Sequence, residues 1–353
     1  MPGGAILAHF TPAACLSKIL GVFGAPPGRH LAFVLFALSA MSITISGCMP
    51  VGLPAPATGT VPHEGDWGIY ELGMDGLPVR LIYSTEHEIY SSALRLNSSG
   101  DKLVFAQKAD GVADNDLEVF SIGVDGSDLR RITNNGFWDL YPAWSPDGGQ
   151  IAFLSKREND LDIYVMDADG SNVRRLHDSG FHDADIDWAG DTIVFTSQFA
   201  IWCMAADGTR VTRVTSPPGL GEWGQANLPK GDYDPRLSPD GNKIVFERLE
   251  DVGDPNGGYN LFVIEPDGTG ETRLTGNSYS QGIANWSHSG DRIVYVVAAM
   301  AGEGKYDMYV INSDGTNNHN VTPSYFPPDF LCYSPVFSND DSKVFFIGHW
   351  WNQ

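Results

Sequence analysis

Two short motifs alternate along most of this chain, and their alternation limits the possible folds more than any other feature. In the first motif, Asp-Gly pairs recur between strand-like segments, at intervals from 38 residues (Asp169 to Asp207) to 60 residues (Asp207 to Asp267). Asp-Gly is favoured in two-residue β-hairpin turns, because both central residues take positive φ, which Gly adopts freely. Each pair therefore predicts one hairpin. The six pairs begin at Asp75, Asp125, Asp169, Asp207, Asp267 and Asp314.

The second motif also places a turn between two apolar strands. Its fullest copy is Trp-Ser-Pro-Asp-Gly-Gly-Gln-Ile-Ala-Phe, from Trp144 to Phe153, and a shortened copy begins at Trp188. Further copies begin at Leu96, Leu237, Trp286 and Phe337. One copy of each motif makes two hairpins, or four antiparallel strands, in a unit close to the ~40–50 residues of one propeller blade.

The order of the motifs at the two ends predicts how the array ends. The first hairpin, near Trp67–Ile82, is an Asp-Gly hairpin with no second-motif hairpin before it, and the last, near Val336–Ile347, lacks an Asp-Gly hairpin after it. Two complementary half-blades complete one blade if the array closes into a ring, which removes exposed sheet edges. An open solenoid would have no need of complementary halves. We therefore predict an all-β fold, a six-bladed β-propeller over residues 64–353, closed by pairing its N-terminal and C-terminal half-blades.

The segment before residue 64 differs in composition from the repeats. Leu31–Ile45 is an apolar run with the length of a signal-peptide core, and it is short for a membrane-spanning helix. Ile45-Ser46-Gly47-Cys48 resembles the bacterial lipobox, in which cleavage leaves a lipidated cysteine at the N-terminus. We expect residues 1–47 to be a leader, Cys48 to carry lipid and residues 48–63 to form a Pro/Gly-rich tether. A plain cleaved signal, an uncleaved anchor and a chance apolar run remain alternatives.

The repeat also carries a family resemblance. The stretches WSPDGGQIAF and DIYVMDADGSNVRRL, from Trp144 and Asp162, resemble the repeat of TolB-type propellers. The same repeat occurs in the propellers of dipeptidyl-peptidase-like and oligogalacturonate-lyase-like proteins. The resemblance implies the propeller fold but not one activity, because a common fold hosts many functions. No G-x-S-x-G nucleophile elbow occurs in the sequence.

Charge and cysteine content narrow the classes of partner. The formal net charge is −22, so nucleic acid and anionic lipid surfaces are disfavoured partners for the folded body. We expect membrane contact only through the N-terminal lipid or anchor, and a monomer. Cys203 and Cys332 lie in distant repeats without metal-ligand spacing, so we interpret them as packed thiols.

Candidate binding residues lie in the links between blades, because variable loops on a rigid scaffold are common binding sites. These links are aromatic and acidic, a composition that suits protein interfaces or sugar stacking. Packing of these aromatic residues beneath their own loops is the alternative. The candidate ligand-binding or partner-binding residues are Trp138, Asp139, Tyr141, His182, Asp183, Asp185, Trp223, Asp232, Tyr233 and Asp234.

Three aspartates stand at one position of the repeat, five residues before a second-motif start. These are Asp139, Asp183 and Asp232. We expect this position near the start of the innermost strand, where neighbouring blades approach the axis, so the three are candidate ligands for calcium, which accepts irregular oxygen sites. The competing hypothesis is that they accept backbone N–H groups and fix one blade to the next. We expect no obligatory cofactor.

Together these patterns favour a non-enzymatic binding module, a cell-envelope lipoprotein on the periplasmic or extracellular side of a bacterial membrane. Its inter-blade loops would hold a protein or an envelope component. The alternative is a metal-dependent carbohydrate-active, lyase-like enzyme that uses the same loops. Its metal ligands would be His182 with Asp183, Asp185 and Asp187, and His87 and His349 would approach from other blades.

Overall fold

The computed structural model describes residues 59–75, 78–109, 117–158, 160–218, 230–250, 258–276, 279–298 and 306–351. In these ranges the chain forms strands and no α-helix, and so no helix there could cross a membrane. The leader, Cys48 and Trp223 lie outside the described residues.

The first two strands are β1 (Trp67–Gly73) and β2 (Val79–Thr85). Blade 1 follows with β3 (Arg95–Leu96), β4 (Lys102–Lys108), β5 (Leu117–Gly123) and β6 (Arg130–Arg131). Blade 2 contains β7 (Asp139–Trp144), β8 (Gln150–Ser155), β9 (Asp162–Asp167) and β10 (Arg174–His177). Blade 3 contains β11 (Asp183–Ala189), β12 (Thr192–Ser197), β13 (Ala200–Ala205) and β14 (Thr212–Arg213).

Blade 4 contains β15 (Gly231–Leu237), β16 (Ile244–Leu249), β17 (Tyr259–Ile264) and β18 (Thr272–Arg273). Blade 5 contains β19 (Ser280–Trp286), β20 (Arg292–Ala298), β21 (Tyr306–Asn312) and β22 (His319–Asn320). The last strands are β23 (Phe330–Phe337) and β24 (Lys343–Trp350). In blades 1 to 5 the strands run in chain order from the innermost, which contacts its neighbours around the axis, to the outermost.

The sixth blade joins the two ends of the propeller, as the motif order predicts. Its strand order is β2-β1-β24-β23. β1 and β24 pair antiparallel without a register shift, from Trp67 opposite His349 to Gly73 opposite Lys343. The six-bladed propeller and its closure are therefore confirmed. Residues 59–63, the described part of the expected tether, contact this blade: Tyr70 donates a hydrogen bond to the Pro62 carbonyl, and His63 stacks on Trp350.

The core consists of apolar layers between neighbouring blades. Val104 and Val119 of blade 1 pack with Ile151 and Phe153 of blade 2. The other layers have the same composition of β-branched and aromatic residues, which suits pleated surfaces buried on both faces. This packing fixes the blades as a rigid ring and leaves their connections at its two ends.

The Asp-Gly hairpins form, but with a different turn from the two-residue form expected. In blade 2, Asp167 N–H donates to the Ser171 carbonyl and Gly170 N–H donates to the Asp167 carbonyl, so the loop has three residues. Only the Gly takes positive φ, 89° at Gly170. The carboxylate of Asp169 instead accepts the N–H and the hydroxyl of Ser171, at 2.9 and 2.6 Å.

A β-bulge interrupts the innermost strand of blades 2 to 6. In each, the register shifts around a residue with φ between 46° and 54°, three positions before the second-motif start. These residues are Tyr141, Asp185, Asp234, Ile283 and Ser334. A bulge adds a residue to one strand and redirects the side chains beside it, so it determines which side chains reach the axis.

Candidate functional site

The ring presents two faces that differ in composition. The hairpin turns of both motifs lie on one face, which we call the turn face. The links between blades and between β8-type and β9-type strands lie on the other, which we call the loop face. The nine candidate residues that the structure describes belong to loop-face links or to the N-terminal part of an innermost strand, and the tenth, Trp223, lies outside the described residues.

Asp139, Asp183 and Asp232 do not meet at the axis, because each carboxylate accepts hydrogen bonds from side chains near it. Asp139 accepts hydrogen bonds from the Ser155 hydroxyl and from Asn135 Nδ2, the latter at 2.7 Å. Asn135 lies in the link that enters the blade, so this contact fixes the link to the blade. In the described part of the chain, no group of three or more His, Cys, Asp or Glu side chains is placed to hold a metal ion.

Asp183 occupies the same position with weaker partners. Its Oδ1 accepts a hydrogen bond from Ser179 Oγ at 2.7 Å. Burial raises the pKa of the Asp183 carboxyl to about 7, an effect that the Ser179 and Ser197 hydroxyls only partly offset. This carboxyl therefore changes charge near neutral pH.

Asp232 occupies the same position of the repeat in blade 4, and its partner is the guanidinium group of Arg248. Arg248 donates from Nε and Nη2 to its two oxygens, at 2.5 and 3.0 Å, and also binds Glu271 at 2.7 Å. Burial alone lowers the pKa of Arg248, but the hydrogen bonds to Asp232 and Glu271 outweigh it and raise that pKa overall. The arginine is a permanent cation here, and it joins three segments of blade 4.

Three of the five bulge residues, Tyr141, Asp185 and Asp234, converge near the axis. Asp234 N–H donates to Asp185 Oδ2 at 3.2 Å, and the Tyr141 hydroxyl lies 3.1 Å from that of Tyr90. All of them are buried, as is Tyr233. They fill the axis below the loop face and are closed to a large partner.

Trp138 and His182 are half-buried on the loop face. Lys156 Nζ lies 5.3 Å from the Trp138 ring centroid. His182 Nδ1 accepts a hydrogen bond from Leu161 N–H at 2.9 Å, and Nε2 lies 3.4 Å from Asp160. His349 stacks on Trp67 in the closing blade. The structure thus uses His182 and His349 in local contacts in different blades.

The most exposed aromatic side chains of the described residues were not among the candidates. Phe137, Phe181, Tyr279 and Trp351 are 40, 53, 37 and 36% exposed, and all four lie on the loop face. The exposed large apolar residues of the turn face are the aliphatic Leu129 and Val173. The sequence did contain a signal for this exposure, because Phe137 and Phe181 each follow a Gly in an inter-blade link, at the same point of two repeats.

The turn face has a feature that the motifs did not predict, a cavity at its centre of about 270 Å³. We call it the turn-face cavity. All six blades line it, mainly through the first residues of the second motif and the residues just before them. Asp187, Arg236 and Asn285 form its polar wall, and Trp144, Trp188 and Trp286 its aromatic wall.

Comparison with known proteins agrees with this architecture. The family model described as TolB beta propeller domain matches residues 79–289, more than half of the chain. The chain belongs to the TolB β-propeller family. Of curated relatives, a protein named TolB homolog from Chlorobium luteolum is 27% identical over 179 residues, which are 49% of this chain and 36% of that protein. An uncharacterized protein of Agrobacterium fabrum is 31% identical over 192 residues, 53% of this chain and 49% of that protein. The chain thus spans between about a third and a half of the length of these two relatives.

Solved structures share the fold at low sequence identity. The putative TolB from Agrobacterium tumefaciens superposes with a TM-score of 0.62 at 18% identity, over 80% of this chain and 98% of that one. TolB from Acinetobacter baumannii gives a TM-score of 0.55 at 18% identity, over 72% of this chain and 62% of that one. An oligogalacturonate lyase in complex with manganese gives 0.51 at 12% identity, over 81% and 83%. At these identities the likeness is one of fold.

Proposed function

We propose that this chain is a non-enzymatic binding module of the bacterial cell envelope, which holds a partner protein on its loop face. The observation that supports it is the uneven distribution of exposed aromatic side chains. Phe137 and Phe181 stand on links of adjacent blades, and exposed aromatic residues are the usual anchors of protein interfaces. Membership in the TolB propeller family supports a protein-binding role in general.

The loop face is tested by a pair of double variants. Phe137→Ser with Phe181→Ser removes two exposed loop-face rings, and Leu129→Ser with Val173→Ser removes two exposed aliphatic side chains of the turn face. Proteins crosslinked to each form in envelope fractions are identified by mass spectrometry, and the main one is purified for affinity measurement. We expect the loop-face variant to bind at least about tenfold more weakly and the turn-face variant to bind normally. Equal affinity of both variants, with parent-like melting, would contradict the proposal.

The envelope location rests on Cys48 as a lipidated N-terminus, held at the periplasmic or extracellular side of the membrane. Two acyl chains give stable anchoring where one gives only marginal binding. Cys48→Ser should therefore move the protein from the membrane fraction to the soluble fraction, or block its processing. Intact-mass analysis of the mature protein checks this, and a mature N-terminus at another residue would contradict it.

The alternative, a metal-dependent carbohydrate-active enzyme, has the shared lyase fold in its favour but no matching ligand set in the described residues. Metal analysis of the purified protein separates the two. Near-stoichiometric manganese or zinc would favour the enzyme. Calcium alone would instead favour a calcium site that involves Asp139, Asp183 or Asp232.

A further inference from the structure

The turn-face cavity lies at the opposite end of the ring from the loop face, and its polar wall is built from contacts between blades. Arg236 is 1% exposed there, and its guanidinium pairs with Asp234 and reaches the Ser92 carbonyl of blade 1 at 3.3 Å. Arg95, also of blade 1, lies 3.5 Å from Asp187 of blade 3. Arginine side chains thus connect blades that are not neighbours in the ring.

Two side chains that line this cavity carry buried N–H groups with no hydrogen-bond partner among the described residues. They are Nε1 of Trp144, a residue 8% exposed, and Nε of Arg236. Arg95, next to them, has an unpartnered Nη2 as well. Buried donors left unpaired are costly and uncommon. All of these groups are donors with almost no exposed surface, so a ligand that completes them must supply acceptor atoms and the side chains must turn toward the cavity to reach it.

Acceptors stand beside these donors. Asp187 Oδ2 accepts the N–H of Leu237 at 2.9 Å and keeps further lone pairs, and Asn285 contributes an amide whose Nδ2 binds the Pro335 carbonyl at 2.8 Å. A carboxylate ligand would meet the arginines but would also face Asp187. A cation would meet Asp187 but would also face two guanidinium groups. A hydroxyl group satisfies both kinds of neighbour, because it donates and accepts at once.

The surrounding charge argues against an anionic ligand. Ten aspartates lie in the described turns of this same face, and hydrogen bonds from Ser or Thr side chains of the same turns hold the pKa of every one below its usual value. They are Asp101, Asp125, Asp147, Asp169, Asp207, Asp240, Asp267, Asp291, Asp314 and Asp340. All are ionised at neutral pH, so an anion that approaches the cavity is repelled.

We propose that the turn-face cavity binds a neutral, hydroxyl-rich ligand the size of one sugar ring. The indole rings of Trp144, Trp188 and Trp286 supply apolar surface for a ring face, and Asp187, Arg236 and Asn285 supply the alternating donors and acceptors that vicinal hydroxyls need. The volume of about 270 Å³ lies just below the ~300–1,000 Å³ of drug-sized sites, so it suits one ring and not an extended chain. This site is separate from the protein-binding loop face and does not depend on it.

The binding test uses ligand-observed saturation-transfer NMR and calorimetry on the purified chain. The neutral probes are glucose, galactose, mannose and N-acetylglucosamine, and the charged counterparts are glucuronate and glucosamine. We expect at least one neutral sugar to bind with a dissociation constant in the millimolar range or tighter, and the charged forms to bind at least about tenfold more weakly. Absence of binding by all four neutral sugars, or preferred binding of a charged form, overturns the proposal.

Two variants assign the binding to this cavity. Trp144→Phe removes the unpartnered N–H and keeps an aromatic ring. It should therefore weaken sugar binding about three- to tenfold, which corresponds to the net free energy of one hydrogen bond. Trp188→Ala removes a partly exposed ring of the wall and should weaken binding about tenfold or more. Trp202→Phe is the matched control, because it removes an indole N–H that is bonded at 2.9 Å to the Ser197 carbonyl, away from the cavity.

The pattern across these variants separates ligand binding from structural damage. Sugar affinity should fall in Trp144→Phe and Trp188→Ala while their melting temperatures stay above the assay temperature, and it should stay unchanged in Trp202→Phe. Unchanged affinity in both cavity variants would show that the sugar binds elsewhere and would overturn the assignment.

Discussion

At one position of the repeat, the same residue type has three different environments. Asp139 is bound by a hydroxyl, an amide and Arg157 at 3.3 Å, Asp183 by hydroxyls, and Asp232 by both nitrogens of a guanidinium edge. The free energy that each carboxylate contributes depends on that partner, because a buried charge is costly without a counter-charge. Substitution to Asn should therefore act in opposite directions at the last two.

Asp183→Asn should stabilise the protein at pH 8 and lose that advantage by about pH 4. The folded-state pKa of Asp183, about 7, lies above the ordinary aspartate value of 3.8 that holds in the unfolded chain, so ionisation costs stability progressively as pH rises between these values. Asn cannot ionise and avoids that cost. Thermal melts of parent and variant at several pH values measure the difference, with the exposed Asp191→Asn as control. A difference between parent and Asp183→Asn that is independent of pH would contradict the burial argument.

Asp232→Asn should destabilise the protein at neutral pH by about 3 kcal/mol, because removing one partner of a buried ion pair leaves the other charge uncompensated. Arg248 would keep only Glu271, whose side chain is 37% exposed. Urea denaturation at pH 7 measures the change. The surface pair Arg210–Asp191 gives a control, since Asp191→Asn breaks an ion pair with both partners more than 70% exposed and should change stability by less than about 1 kcal/mol. Equal effects of the two substitutions would refute the assignment.

The sequence identified these aspartates as a set but did not show where they point. In a regular strand, residues two apart share a face, so Asp183 and Asp185 would be expected to point the same way. The bulge at Asp185 breaks that alternation: Asp183 contacts Ser179 of the adjoining link, and Asp185 faces Asp234 near the axis. The bulge residues are Tyr, Asp, Asp, Ile and Ser, so no residue type marked the position and sequence could not reveal it.

At the scale of single elements, the motif predicted the position of each hairpin correctly but not the geometry of its turn. Asp-Gly predicted a hairpin at each site, and the hairpins form, yet the aspartate contributes through its side chain and not through positive φ. In blade 3, Asp207 Oδ1 accepts the N–H and hydroxyl of Thr209 at 2.9 and 2.5 Å, while Gly208 takes a φ of 86°. The Ser or Thr two residues after the aspartate is therefore part of the turn signal.

These turns make the fold sensitive to strong acid. Because the folded-state pKa values of the turn aspartates are lowered, the stability they contribute is present above about pH 4 and is lost as pH falls further. Asp340 shows the largest effect, because hydrogen bonds from the hydroxyls of Ser338 and Ser342 and from Ser342 N–H lower its pKa to about 2. Ser342→Ala should raise the pKa of Asp340, as measured by the carboxyl ¹³C shift.

A neighbouring turn supplies the control for that titration. Thr316→Ala should raise the pKa of Asp314, whose carboxylate accepts the Thr316 hydroxyl at 2.6 Å, and leave Asp340 unchanged. If both variants moved both aspartates, the shifts would reflect a general loosening of the turn face and not the local hydrogen bonds.

At the scale of the whole molecule, ring closure was predictable because it depends on motif order and not on side-chain direction. Complementary half-blades at the two ends required only that hairpins be recognised, and β1 pairs with β24 accordingly. The turn-face cavity was not predictable, because it depends on which side chains six separate blades place around one axis. Arg95 and Asp187 lie in different blades, and nothing in their local sequence indicates that they meet.

Deletion of residues 340–353 should unfold the protein at physiological temperature. It removes β24 and with it Val344, Phe345, Phe346 and Ile347, each at most 3% exposed. Burial of four such side chains is worth roughly 6–12 kcal/mol, comparable to the ~5–15 kcal/mol by which typical domains are stable. Circular dichroism and a melting curve measure the result, and a folded truncated protein with parent-like melting would refute closure through β24.

A circular permutant distinguishes loss of closure from loss of apolar residues in general. Trp350 stacks on His63 with ring centroids 4.3 Å apart, so the two termini of the propeller are near each other, and a flexible Gly/Ser linker can join residue 351 to residue 61, with new ends opened between β2 and β3. All four strands of the closing blade then become continuous in sequence, and every contact of the ring is kept. Because the strand pairings are kept and only the position of the chain ends changes, the permutant should melt close to the parent temperature. If the permutant folded poorly and the truncated protein folded well, the pairing of β1 with β24 would not be what holds the ring closed.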